Sequence, residues 1–124
     1  MANHTDLPSS KVTYDLLVVA TELTKNMPRD YKASVGKEIR DECVRLSVLV
    51  FRANSAGDKT PYLDKLIERN QVLELLFRLS KDMRFISVAQ YARAIALTSM
   101  IGKQAGGWKK FAASSPAASR SRPG

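Results

Sequence analysis

The sequence predicts an all-α protein, an up-down-up-down antiparallel four-helix bundle. Three observations carry that expectation. Apolar residues recur at helical spacing in four stretches, with breaks at Pro28, Gly57 and Ser87. No segment alternates with period two over a useful length, which leaves no candidate for a sheet. The links are only a few residues long, and short links make successive helices antiparallel neighbours. At 124 residues the chain makes one domain, large enough to bury a core without disulfides or metal.

Residues 1–10 read as a flexible lead-in, and residues 11–108 as the bundle. The first helix is expected from near Ser10 to about Met27, with Val12, Leu16, Val19, Ala20, Leu23 and Met27 on one face. Pro28 ends it, because the residue before proline is pushed out of helical geometry. The second helix should start at Tyr31 or Ser34 and run to Asn54. Its seam is Val35, Ile39, Cys43, Leu46 and Val50, supplemented by Val44, Leu49 and Phe51. Gly57 is available there for a left-handed cap.

The third helix is the most apolar and organises the rest. Thr60 can cap it, Pro61 fits its first position, and it should run from Tyr62 to Phe85-Ile86. Leu63, Leu66, Ile67, Leu73 and Phe77 line one face. Val72, Leu75, Leu76, Leu79 and Met83 line an adjacent one, and so wide an apolar arc must be covered on more than one side. It therefore packs several neighbours or also meets another subunit. Ser87, with Gln90 three residues on, forms a capping box for the fourth helix. That helix carries Val88, Tyr91, Ala92, Ile95, Thr98 and Ser99 on one side. Gly102, Gly106 and Gly107 should fray it, Trp108 closes the core, and residues 109–124 are expected to be a disordered basic tail.

Composition narrows the chemistry. The only histidine, His4, lies in the lead-in without a base or orienting partner, which argues against nucleophile–histidine catalysis and histidine-bound metal. Cys43 on a helical seam reads as a small core residue, and one cysteine makes neither an internal disulfide nor a multi-cysteine zinc site. The carboxylates of the first two helices pair at helical spacing with Lys or Arg, as on a solvated face. A non-catalytic protein without cofactor or metal is expected. No run reaches the ~18 apolar residues of a membrane span and the N-terminus carries no signal segment, so no membrane partner and a cytoplasmic location are expected.

Charge points toward polyanions. Residues 1–82 hold 13 Lys/Arg against 12 Asp/Glu, whereas residues 83–124 hold 7 against none. Arg78, Lys81 and Arg84 spread over a ~120° arc at the end of the third helix. On the second helix Arg45 and Arg52 are nearly in register, with Lys37 and Arg40 before them. Any one of these reads plainly as a surface cation screened by Glu74, Asp82, Asp41 or Glu42. As a set they can neutralise several phosphates, giving backbone-directed, salt-dependent binding with little sequence reading. Phe77, Phe85 and Tyr91 are the only aromatics near the set and two of them read as core, which does not favour base stacking.

In order along the chain stand Tyr14-Asp15-Leu16-Leu17, Pro28-Arg29-Asp30-Tyr31-Lys32, Val35-Gly36-Lys37 and Phe51-Arg52-Ala53-Asn54-Ser55. Leu75-Leu76-Phe77-Arg78-Leu79-Ser80-Lys81-Asp82, Ile86-Ser87 and Gly107-Trp108 follow. This series resembles the four-helix-bundle proteins that include the accessory variability determinant (Avd) of diversity-generating retroelements. Relatives of similar fold are encoded in intervening sequences of bacterial large-subunit ribosomal RNA genes. The resemblance implies a basic, non-catalytic homopentamer with a central channel. Such a protein binds the retroelement's reverse transcriptase and RNA or DNA to support mutagenic cDNA synthesis and transfer. The family's basic surface carries over onto Arg78, Lys81 and Arg84, and then Lys37, Arg40 and Arg52. Arg52 and Asn54 could equally hold the turn after the second helix. The alternative is a self-assembling structural bundle of the ribosomal-RNA type, without a retroelement role.

Overall fold

The computed structural model describes residues 9–114. Ser9 caps the first helix, its Oγ accepting the Val12 N–H at 3.1 Å, and α1 spans Ser10–Lys25. A single turn, α2 (Arg29–Tyr31), follows Pro28 and runs into a π-helical turn at Lys32–Gly36 before α3 (Lys37–Ser55). Thus the second helix begins at Arg29, two residues before the earlier of the expected starts, and carries a surplus residue in its first turns. Gly36 is buried in that turn, where a β-carbon would lie 3.4 Å from both Thr24 and Met27 of the α1 end. Helices α4 (Thr60–Asp82) and α5 (Val88–Ser114) complete the chain.

The turn from α3 to α4 is built differently from the expected glycine cap. The chain leaves α3 extended at Ala56, and no glycine among the described residues has positive φ. The Lys59 ammonium takes over, donating to the Ala53 and Ala56 carbonyls at 2.8 and 2.9 Å. Those carbonyls are among the orphans that any helix end must satisfy. Thr60 is the first helical residue rather than the cap, and its N–H is taken by Asp58 Oδ1. The capping box at α5 forms as predicted: Gln90 N–H donates to Ser87 Oγ and Ser87 N–H to Gln90 Oε1.

Each long helix packs on its sequence neighbours, and α1 closes the square against α5, giving the expected four-helix bundle. The core is Leu16, Ala20 and Leu23 of α1, Ile39, Cys43, Leu46 and Val50 of α3, and Leu63, Leu66, Leu73 and Phe77 of α4. From α5 it receives Ala94, Ile101 and Ala105 with the buried Thr98. That seam differs from the expected one: Val88 faces solvent, and small residues fill the inner face because α4 supplies the bulk. Val44 and Phe51 also point outward rather than supplementing the α3 seam. Burial pushes the Cys43 thiol up to about 12, aided by the neighbouring Glu42 charge, so the thiolate is not populated at neutral pH.

The boundary expected at residue 108 is too early. Helix α5 runs through Gly102, Gly106 and Gly107 to Ser114, and Ala112 is buried. Packing outweighs the roughly 1 kcal/mol that each helical glycine costs against alanine. Trp108 packs against the core with the Phe111 ring edge-on at 5.9 Å, and Lys109 pairs with Asp64 at 2.6 Å. The lead-in (residues 1–8) and the rest of the tail (115–124) lie outside the described residues. Among the described residues, no helix is long and apolar enough to cross a membrane, and no group of ligating side chains is placed to hold a metal ion.

Candidate nucleic-acid interface

In an up-down-up-down bundle the first and third turns share an end. Here that end joins the α1–α3 connection to the α4–α5 turn, and the rings of Tyr31 and Phe85 stack across it, centroids 4.2 Å apart and 24° from parallel. Five of the six predicted site residues gather there: Arg78, Lys81 and Arg84 from the end of α4, and Lys37 and Arg40 from the start of α3. Arg52 does not join them. It lies fifteen residues beyond Lys37 on α3, about 22 Å along the axis, in a separate cleft between α3 and α4 with Val48, Lys65 and Arg69.

Arg84 is the geometric centre of the turn. Its φ of 60° places a non-glycine residue in the left-handed region. The backbone around it forms a Schellman cap: Phe85 N–H donates to Ser80 C=O at 2.8 Å and Arg84 N–H to Lys81 C=O at 3.0 Å. Arginine there carries strain of about 1–2 kcal/mol that glycine avoids. Substituting Arg84→Gly releases that strain but adds about 0.4–1 kcal/mol of unfolded-chain entropy. A net gain of roughly 0.5–1 kcal/mol in thermal unfolding is expected. A variant less stable than the parent would mean the guanidinium makes a compensating contact.

The cations of this end are not equivalent. Lys37 donates to Asp41 at 2.7 Å, and that hydrogen bond holds the Asp41 carboxyl below its ordinary 3.8. Arg40, half-buried, donates to Thr24 Oγ1 at 3.0 Å and so ties α3 to α1. It serves the fold. Arg78 and Lys81 share Asp82 at 3.8 and 3.6 Å, loose exposed pairs of little worth in water. The Lys81 ammonium also sits 4.6 Å from the Tyr91 ring centroid. The Arg84 guanidinium has no hydrogen-bond or ion-pair partner among the described residues and is exposed.

Glu74 and Glu42 do not screen these cations as the sequence suggested. Glu74 accepts from the Thr98 hydroxyl at 2.8 Å. Glu42 is only 1% exposed, accepts from Arg69 at 3.0 Å and pairs with Arg45 at 3.1 Å. It is a buried interhelical anchor, not part of a solvated face. Of the four carboxylates, Asp82 is the one that lines a cleft with Arg84. Sequence reasoning also missed Arg29, Lys32 and Tyr31, all exposed on the first turn, which the Tyr31–Phe85 stack joins to the α4–α5 turn. The signal was the topology itself, since short links and antiparallel helices dictate which turns meet.

A cleft of about 790 Å³ opens between the α4 end and the α5 start, lined by Lys81, Arg84, Phe85, Ser87, Gln90 and Tyr91. On the same last turns of α4, Leu75, Leu79 and the C-cap Met83 form an outward stripe between the cations, 65, 42 and 53% exposed. These are part of the second apolar face the sequence required something to cover, and nothing among the described residues covers them. A family model described as bAvd-like matches residues 8–112. No curated protein and no solved structure matches the chain.

Proposed function

The chain belongs to the bAvd-like family, and from that membership we propose that it is a non-catalytic accessory protein of a diversity-generating retroelement. It binds the element's reverse transcriptase and RNA or DNA, and so supports mutagenic cDNA synthesis and transfer. The observation that carries the reading beyond membership is the cationic bundle end, which holds Arg78, Lys81 and Arg84, the last with a side chain unpartnered among the described residues, and Arg29 and Lys32 on the turn stacked against it. Such a surface attracts phosphates by charge and counterion release, without reading bases. Assembly into a homopentamer belongs to the same reading. It is supported by the open Leu75, Leu79 and Met83 stripe, a row of apolar side chains that a second copy would bury.

The test is binding of labelled RNA and DNA across a salt series, beside pull-down of the reverse transcriptase, with native mass measured on the same samples. Each phosphate neutralised contributes roughly 0.9 to the slope of log affinity against log salt on duplex DNA. Neutralising Arg78, Lys81 and Arg84 to glutamine should lower that slope by about 2–3. Affinity near physiological salt should fall on the order of a hundredfold, while helicity and native mass stay unchanged. Undiminished binding to both partners would remove the site from α4. Self-assembly without binding of either partner would favour a purely structural bundle of the ribosomal-RNA type.

A further inference from the structure

We propose that the Tyr31–Phe85 stack, flanked by Lys81 and Arg84, takes an unpaired base, so that this end of the bundle prefers single-stranded nucleic acid over duplex. The inference rests on the nucleic-acid reading above and deepens it. It also reverses the sequence-based expectation, which counted only aromatics near the basic residues in the chain. Phe77 is indeed core, but Phe85 is half-buried, and the fold adds Tyr31 from 54 positions earlier.

The geometry is that of a stacking platform. One face of the Tyr31 ring is taken by Phe85, yet the residue remains 42% exposed, which leaves ring surface for a third ring to meet. Tyr31 is not a member of the core, which at this end takes Met27 and Ile86 from the two turns, with Phe85 packed against it. Free cations surround the platform. Arg29 and Lys32 bracket Tyr31 in sequence, and Arg84 precedes Phe85; all three are exposed and lack ion-pair partners among the described residues. A base on the ring thus has phosphate-binding groups on both sides of it in the chain.

Phe85 also lines the cleft with Lys81, Asp82, Arg84 and Tyr91, so the cleft borders the stack on the Phe85 side. At about 790 Å³ it lies in the range of sites that accept small organic groups. Stacking requires a base whose face is exposed. A single strand offers one at every nucleotide, whereas a duplex buries its base faces and offers mainly phosphates and groove edges. The cations alone would bind both forms; the rings distinguish them. Because every base has a π-face, this preference carries little sequence specificity.

The test compares a fluorescent single strand of about 20 nucleotides and mixed sequence, as RNA and as DNA, with a duplex of the same sequence, by anisotropy at fixed salt. Tyr31→Leu keeps an apolar side chain against Phe85 but removes the π-face. It should weaken single-strand binding on the order of tenfold, the contribution of one stacked base, and leave duplex binding within about twofold. Tyr31→Trp should restore single-strand binding. Its added indole emission should be quenched by the single strand and not by the duplex. The emission of Trp108, which lies at the opposite end of the bundle, is subtracted using the parent protein. Equal losses on both forms, or an introduced indole that neither form quenches, would overturn the stacking role. So would loss of reverse-transcriptase capture alone, which would make the platform a protein-docking surface. If the parent binds both forms and Tyr31→Leu changes neither, stacking falls and the backbone-directed reading stands. If the parent binds neither, the nucleic-acid reading itself falls.

Discussion

Phe77→Ala should lower stability by about 3–5 kcal/mol, the range for removing a buried phenyl group from a core that cannot close around the gap. Phe77 is the largest of the fully buried side chains and lies on the inner face of α4 among residues from all four long helices. For a chain of this size the loss corresponds to a fall in melting temperature of roughly 10–20 °C. Any self-association adds to stability by mass action, so parent and variant must be compared at one protein concentration. Denaturant melts followed by circular dichroism give the number. A loss below about 1 kcal/mol would show that the bundle repacks freely at its centre, contrary to a side chain held at 0% exposure.

The second large effect concerns charge. Glu42 is enclosed between α3 and α4, its Oε2 shared by Arg45 and Arg69, and its Oε1 lacks a hydrogen-bond partner among the described residues. Removing one partner from a buried pair is far more costly than removing the charge itself. Arg69→Met should therefore cost about 2–3 kcal/mol, less than the roughly 3–5 of an isolated buried pair because Arg45 remains. Glu42→Leu, which frees two arginines already 49 and 35% exposed on their side chains, should change stability by no more than about 1 kcal/mol in either direction. Combined, the two changes should cost little more than Glu42→Leu alone, a non-additivity of about 2 kcal/mol that a double-mutant cycle measures. An Arg69→Met variant within about 0.5 kcal/mol of the parent would mean that Arg45 alone satisfies the carboxylate.

These two cases divide what the sequence makes legible from what it does not. Phe77 was readable because a helical stripe with Leu63, Leu66 and Leu73 leaves one direction for the core, and the same argument recovered α1 and most of α3. Glu42 was not readable, because its nearest opposite charge in sequence, Arg45, suggested an exposed pair, while Arg69 arrives from another helix 27 residues later. The α5 seam failed for a related reason. Ala94, Thr98 and Ala105 carry too little hydrophobicity to announce an inner face, and glycines that signal fraying in an isolated helix are tolerated in a packed one. At the candidate site the α4 cations were visible as a cluster, but the first-turn residues across from Arg84 were not. Contacts between turns depend on tertiary geometry, which a scan along the chain does not compute.

The π-helical turn at Lys32–Gly36 gives that geometry an evolutionary edge. Lys37 N–H reaches back five residues to the Lys32 carbonyl, the mark of one residue more than a regular helix holds. Such a turn can be lost by a single codon deletion, leaving α2 and α3 as one continuous helix with α3 still seated on the core. The single turn of α2 would swing by about 100° around the axis, and with the link at residues 26–28 absorbing the change the Tyr31 ring would leave Phe85. One three-base event could thus separate the platform from the bundle, leaving descendants that keep the fold and lose the paired rings.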